Sequence, residues 1–359
     1  METASPLVQL SIGENPWHSN PSFEEDDEDS PPKRWFHYFP VCVMVLMLLA
    51  PHPSWLIILI HHHLLTLRSY GWFATHLLIS YTLMFLACTS LIVCLARDPG
   101  PVTSPKDALD DEETSFAEAL MAPVADDFNS PEKWCKKCWA AKPERSHHCS
   151  ICRRCVLKMD HHCQWMANKC IGHRTYPAFI HFLTCVVLMA MYMSAVAISG
   201  FYYAITNPMN IDETTPLHEL GVSFGGLVIT AVVGAFLGYH LYLISINRTT
   251  LEDLSPFLLL RLIPNLTNPH DPLPTPEHRL NYNQRRVIKR AHRQIQLYNV
   301  GWRKNWGQVF GWERRRGWVY RLLLGGAGKG DGRSFPRNRR ADEMLAKLVD
   351  ELHNVDKDL

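Results

Sequence analysis

The sequence predicts an all-α integral membrane protein: four transmembrane helices, with a small cysteine-rich domain inserted between the second and the third. Three observations carry this. Four long apolar runs alternate with strongly polar stretches, so the mean hydropathy of −0.11 describes neither part. Seven of the eleven cysteines fall within residues 135–170. Acidic and basic residues are blocked out along the chain, which makes the formal net charge of +1 equally uninformative.

The apolar runs cover residues 41–65, 72–95, 178–203 and 222–246. Each reaches the roughly 20 residues that a helix needs to cross a bilayer. The first is the least regular, holding Pro51 and Pro53 and ending in His61, His62 and His63. Proline is tolerated in a membrane helix where neighbouring groups satisfy the freed backbone. The three histidines fit an interfacial cap on that helix better than a metal site.

Orientation follows from the basic residues. Residues 101–175 carry eleven Lys and Arg, Lys33 and Arg34 precede the first span, and the region after Asn247 is rich in Arg. The loop over residues 204–221 has none and carries Asp212, Glu213 and Glu219. The positive-inside rule then places both termini and the middle segment in the cytosol. The sequons at Asn247 and Asn265 are expected to stay unglycosylated. Cytosolic thiols stay reduced, so a dense cysteine cluster there binds metal or does chemistry rather than forming disulfides.

The expected organisation is an acidic disordered cytosolic tail (1–34), a transmembrane hairpin (35–97) and a cytosolic linker with the cysteine-rich domain (98–177, core 133–175). A second hairpin (178–246) and a cytosolic C-terminal region (247–359) follow. No cleavable leader is visible. Residues 101–131 read as a linker, and residues 264–276, with five prolines, as an extended connector. Residues 284–296 place Val287, Ile288, Ala291 and Ile295 on one helical face among basic residues. That pattern fits either an interfacial helix on anionic headgroups or a plain solvated helix.

The cysteine-rich domain reads C-x2-C at Cys135 and Cys138, then His148 and Cys149, Cys152 and Cys155, then His162, Cys163 and Cys170. Structural zinc takes four ligands, and two-residue gaps let a turn present two thiolates to one ion. Six of the cysteines, leaving out Cys163, make eight ligands with His148 and His162, enough for two closed Cys3His sites. Counting alone does not say which thiol is spare.

The neighbours of Cys163 nominate it. A thiolate is the nucleophilic form of cysteine, and a histidine titrates where it can take that proton. An aspartate on the other ring nitrogen fixes the tautomer. Asp160, His161 and Cys163 supply those roles within four residues. His161 as base and His162 as ligand requires the two rings to point apart. The reading in which Cys163 is one more structural ligand stays open.

With those residues in view, the sequence resembles the DHHC-type protein S-acyltransferases (palmitoyltransferases), over roughly residues 41–311. Asp98–Gly100 supplies the family's D-P-G after the second span. Thr249, Thr250 and Glu252 supply its T-T-x-E after the fourth. Residues 298–311 are similar to the family's C-terminal motif, in which an asparagine, here Asn299, braces the active site. The stretch over residues 305–311 most resembles fungal members, vacuolar-type ones among them.

The resemblance implies one zinc on Cys135, Cys138, His148 and Cys155, and a second on Cys149, Cys152, His162 and Cys170. Asp160, His161 and Cys163 would be catalytic, with Thr250 near Asp160. The implied cofactors are two structural zinc ions, with palmitoyl-coenzyme A as acyl donor and Cys163 S-palmitoylated as the intermediate. The implied partners are fatty acyl-coenzyme A, cysteine-containing membrane-associated proteins and the lipid bilayer, with no nucleic acid. The expected location is an endomembrane: vacuole, Golgi or endoplasmic reticulum. Arg153, Arg154 and Lys158 are candidates for the coenzyme phosphates. Phe179, Phe182, Tyr192, Phe201 and Tyr202 are candidates for lining an acyl cavity, and Cys42, Cys88, Cys94 and Cys185 for packing.

Two departures stand out. Gln164 replaces the proline common after the catalytic cysteine, and six residues rather than five separate Cys163 from Cys170. They put the Cys170 ligand in question and keep a catalytically dead scaffold in play. A RING-like ubiquitin ligase lacks support, because RING spacing has a longer central gap and a Cys-x-His step. A metal transporter would place polar ligands at mid-membrane.

Overall fold

The computed structural model describes residues 35–102, 134–262, 280–311, 317–326 and 328–357, all within one compact unit, Lys33–Leu359. The acidic tail, most of the 101–131 linker and the proline-rich connector with Asn265 lie outside the described residues.

Four helices are long and apolar enough to cross a membrane: α1 (Trp35–Thr66), α2 (Tyr70–Ala96), α3 (Tyr176–Thr206) and α4 (Thr215–Ile246). They make this a multi-pass membrane protein. Helix α3 is central, packed along both α2 and α4. Its apolar side chains feed two buried clusters. One, around Phe179, Phe182, Leu183 and Cys185, lies at the end that carries the cysteine-rich domain. The other gathers Met189, Met193 and Ala197 with Trp55 and Leu59 of α1 towards the opposite end.

Helix α1 is interrupted at Ala50 and Pro51, resumes at His52, and closes in a π-helical stretch over Leu59–Thr66. A π turn shifts the angular position of the residues it carries. Here it turns His62 inward, to 4% exposure, with Nδ1 3.0 Å from Glu219 Oε1. This corrects two expectations. Glu219 is no loop residue: α4 begins at Thr215 and the carboxylate is fully buried. His62 is no interfacial cap, since it faces that carboxylate, while His61 reaches Asp212 at 3.3 Å. Gly200 of α3 makes room for the pair, because a Cβ there would come 2.9 Å from Glu219 Cδ. A charged group inside a bundle is stabilised by such pairing.

Between α2 and α3 the chain forms three antiparallel two-stranded hairpins: β1 (Trp134–Cys135) with β2 (Ala140–Ala141), β3 (His147–Cys149) with β4 (Arg154–Val156), and β5 (His161–Cys163) with β6 (Lys169–Ile171). The Asp98–Gly100 segment fastens this domain to α2. Asp98 Oδ1 accepts from the Gly100 N–H (2.8 Å) and Oδ2 from Arg154 Nη1 (2.7 Å). The Leu157 N–H bonds to Gly100 O at 2.8 Å. Lys169 donates to Leu95 O (2.7 Å) and Arg97 O (3.1 Å), covering carbonyls that the end of α2 leaves open.

After α4 come α5 (Thr250–Leu254), α6 (Tyr282–Gln294), α7 (Trp302–Phe310), α8 (Trp318–Leu324) and α9 (Ala341–Lys357). Ile288 and Ile295 are buried against Leu345, Leu348 and Leu352 of α9. The apolar face of α6 is therefore covered by protein. This overturns the interfacial-helix reading, since the i, i+3, i+7 leucines of α9 supply the surface that anionic lipid was expected to supply.

Candidate active site and metal centres

Side chains alternate along a strand, and cross-strand partners share a face. In the β3–β4 hairpin His148 pairs with Cys155, and in the β5–β6 hairpin His162 pairs with Cys170. Each pair meets a C-x2-C turn. The result is two sets of four donors, Cys135, Cys138, His148 and Cys155, and Cys149, Cys152, His162 and Cys170.

In the first set His148 Nδ1 lies 3.6, 3.1 and 3.9 Å from the sulfurs of Cys135, Cys138 and Cys155. In the second, His162 Nδ1 lies 3.5, 3.4 and 3.7 Å from Cys149, Cys152 and Cys170. Tetrahedral zinc with bonds of ordinary length separates sulfur from nitrogen by about 3.5 Å. Both sets fit that ion in donor type, number and spacing.

Cys170 joins its set because the extra residue before it is absorbed in the hairpin loop. Residues 164–168 close with the Asn168 N–H bonded to Gln164 O, and Ala167 and Asn168 are left-handed (φ 52° and 54°). The ladder keeps His162 opposite Cys170. Asn168 also accepts from His162 Nε2 at 2.7 Å, which fixes Nδ1 towards the sulfurs. An Asn168→Ala variant should bind its second metal about 10–100-fold more weakly, read by competition with a graded chelator. Unchanged affinity would contradict that role.

Alternation also separates the two histidines. His162 faces the metal set, while His161 and Cys163 share the other face of β5. That face looks into the apolar cluster of Met166, Ile171, Phe179 and Cys94, where Cys163 is 8% exposed.

Asp160, itself 2% exposed, holds His161 Nδ1 at 2.8 Å through Oδ2. Burial acts to lower the His161 imidazole, but hydrogen bonds to Asp160 and Cys163 outweigh it and raise its pKa to about 9. Burial acts to raise the Asp160 carboxyl, and the His161 contacts with the Thr250 N–H bring it below its ordinary value.

The T-T-x-E motif is the clamp on Asp160. The Thr250 N–H and hydroxyl donate to Oδ1 and Oδ2 at 3.0 and 2.7 Å. Thr249 caps α5 through a reciprocal box with Glu252. Glu252 also takes a bidentate pair from Arg145, at 2.7 Å on each oxygen. Arg145 continues to Asn247 Oδ1 and O, both at 3.0 Å, and its guanidinium lies 4.2 Å from the Tyr298 ring centroid. A single buried cation thus joins the cysteine-rich domain, the end of α4 and the C-terminal motif. Asn247 is 3% exposed.

The C-terminal brace differs from expectation. Asn299 bonds within its own segment, to Gln296, Gly301 and Asn305. Asn305, fully buried, carries the link to α4, donating to Ser245 O at 2.7 Å.

Of the other nominated residues, Phe179 and Phe182 belong to the same apolar cluster as Cys163. Tyr192 bonds to His76 at 2.7 Å, away from that cluster, and Tyr202 is exposed. Arg154 is committed to Asp98, and Lys158 is half-buried with Nζ 5.3 Å from the Phe335 ring centroid. Arg153 is exposed.

Nothing local in the sequence marks Arg145 or Asn168, and the sequon at Asn247 and the motif around Asn305 do not indicate the contacts those two side chains make. His240 was also passed over, although an ionisable residue within an apolar span is itself a signal.

The family model described as DHHC palmitoyltransferase matches residues 128–256. The mouse palmitoyltransferase ZDHHC2 is 31% identical over 204 residues, 57% of this chain and 46% of ZDHHC2. Rat palmitoyltransferase ZDHHC15 is 31% identical over 225 residues, 62% of this chain and 56% of its own length. An Arabidopsis thaliana protein named probable protein S-acyltransferase 15 is 35% identical over 168 residues, 46% of this chain and 61% of that protein. The chain spans about half the length of the curated relatives it matches. Over residues 128–256 it is similar to a DHHC palmitoyltransferase domain.

Proposed function

We propose that the protein is a protein S-palmitoyltransferase, moving a long-chain fatty acyl group from acyl-coenzyme A to protein cysteines at the cytosolic membrane face. One observation carries this. The eight metal-type donors fall into two complete sets, and Cys163 stands apart from both, on the His161 face of β5 beside apolar helix ends. Zinc bound at the two sets would supply structural rigidity, holding the hairpins that aim this strand.

Cys163 attacks the acyl carbonyl carbon as thiolate, and coenzyme A leaves with a proton from His161. A substrate thiol then yields its proton to His161 and attacks the thioester, and Cys163 leaves as thiolate. Asp160 holds the ring and stabilises its charged form. Both steps exchange one thioester for another, so the site contributes chiefly positioning. The acyl chain would lie among the helices beside Phe179 and Phe182, each buried methylene contributing about 0.8 kcal/mol.

The termini would face the cytosol, and an endomembrane is the proposed location. The partners would be acyl-coenzyme A and membrane-associated proteins with accessible cysteines. A pulse of labelled palmitoyl-coenzyme A followed by a lipid-anchored cysteine peptide tests the transfer. Label should leave the protein and appear, hydroxylamine-sensitive, on the peptide. Retention of label on the protein through the chase would overturn the second step.

A further inference from the structure

His240 sits in α4, two turns from the T-T-x-E motif, and is fully buried. Leu237, His240 and Ile244 are three and four residues apart and therefore share one face of α4. Leu237 and Ile244 belong to the same apolar cluster as Cys163 and Phe179. The His240 ring lies 6.0 Å from the His161 ring, with the Phe179 ring 5.4 Å from each. Asp160, His161 and His240 each bring a side-chain donor atom within 4.8 Å of the other two. Asp160 and His161 already bond to each other, so the third member is the unexplained one.

The hydrogen bonding of His240 is half complete. Nδ1 lies 3.2 Å from the Tyr176 hydroxyl, while Nε2 is buried with no hydrogen-bond partner among the described residues. A phenol that donates to Nδ1 leaves the ring's one proton on Nε2. A buried N–H without an acceptor costs about 1–3 kcal/mol and asks for an explanation. In acyl transfer the missing acceptor has an obvious chemical identity, because the carbonyl oxygen becomes an anion when the nucleophile adds.

We propose that His240 donates its Nε2–H to the acyl carbonyl oxygen of the bound thioester, so that the oxyanion of the tetrahedral intermediate forms against it. This rests on the acyl-transfer reading given above. The Cys163 sulfur bonds to the acyl carbon and the carbonyl π pair moves onto oxygen. That pair returns as the bond to the coenzyme sulfur breaks, and the thiolate departs with the His161 proton. Nε2 keeps its own proton throughout, so His240 acts as a neutral donor. Tyr176 is a positioning residue, fixing which ring nitrogen carries the hydrogen.

The test is single-turnover labelling of the full-length protein in detergent with radiolabelled palmitoyl-coenzyme A, comparing wild type, His240→Met, His240→Gln and Tyr176→Phe. Zinc content is measured on each. Removing one oxyanion donor should slow acyl-enzyme formation about 10²–10³-fold in His240→Met. Half-saturating acyl-coenzyme A should hardly change, and zinc should stay at two per chain. Glutamine restores an N–H and should recover at least a tenfold part of the loss. Tyr176→Phe should show a smaller fall in rate, again without a change in saturation.

Equal rates in His240→Met and wild type would overturn the assignment, as would glutamine and methionine variants that are equally slow while keeping zinc. A third zinc lost in the His240 variants would show the residue to be a ligand and overturn it too. Should the His240 variants lose all zinc, Tyr176→Phe decides, and an unchanged rate there overturns the proposal. A zinc-replete wild type that takes no label would sink the acyl-transfer reading itself, and this assignment with it.

Discussion

An Asp160→Asn variant is expected to keep both metals and to form its acyl-enzyme on the order of 10³–10⁴-fold more slowly. The magnitude is that of removing the orienting carboxylate from a nucleophile–histidine–aspartate set. Two donors from Thr250 and one from His161 converge on this carboxylate. An amide keeps the shape but must turn one N–H towards groups that themselves donate. His161 then loses the acceptor that fixes its tautomer and stabilises its charged form. Zinc content and thermal stability separate this from unfolding. A rate within tenfold of wild type in a zinc-replete Asp160→Asn protein would remove Asp160 from the mechanism.

Arg145→Met should be the most destabilising single change at this end of the molecule. The guanidinium is buried, with its side chain 1% exposed, and Glu252 is 17% exposed. Removing one partner of a buried pair leaves the other charge uncompensated, which costs about 3–5 kcal/mol. Glu252, Asn247 and the ring of Tyr298 would all lose their shared contact. Because Glu252 also caps the helix that presents Thr250, activity should fall with stability.

The pH dependence has a definite sign. Burial acts to raise the Glu252 carboxyl, but Arg145 outweighs it and holds it below its ordinary value. The stabilisation from this pair is then fully present above the ordinary glutamate range, about 4.3, and is lost as pH falls through the lower folded value. Wild type should lose stability more steeply than Arg145→Met on acidification, measured by thermal unfolding in detergent across pH 3–6. Parallel curves would contradict the role given to the pair.

The sequence made the four spans legible because apolar length alone defines them. It made the metal-type residues legible because strand alternation and two-residue turns are written in local spacing. Residues that act across the fold left no such trace. Arg145 precedes the residues it serves by about a hundred positions, and nothing beside it indicates Glu252 or Asn247. The resemblance points to Asn299 as the brace, and only packing shows that Asn305, in the same short motif, reaches α4. Glu219 was read as a loop residue because a carboxylate ends an apolar run. Its partner, His62, lies on the first helix and is turned inward by a π stretch that hydropathy does not register. The basic amphipathic face of α6 was clear in sequence, but its partner was not, since α9 lies some fifty residues further on.

Cys163 is the proposed nucleophile, and the six cysteines and two histidines of the domain's two sets are its metal-type donors. The most direct measurement is autoacylation of purified protein with labelled palmitoyl-coenzyme A for wild type, Cys163→Ser and Cys163→Ala, with zinc measured on the same samples. Hydroxylamine-sensitive label is expected on wild type, none on either variant, and two zinc ions per chain in all three. A variant that loses one zinc together with its label would show Cys163 to be a ligand. Label persisting in the variants would place the nucleophile elsewhere.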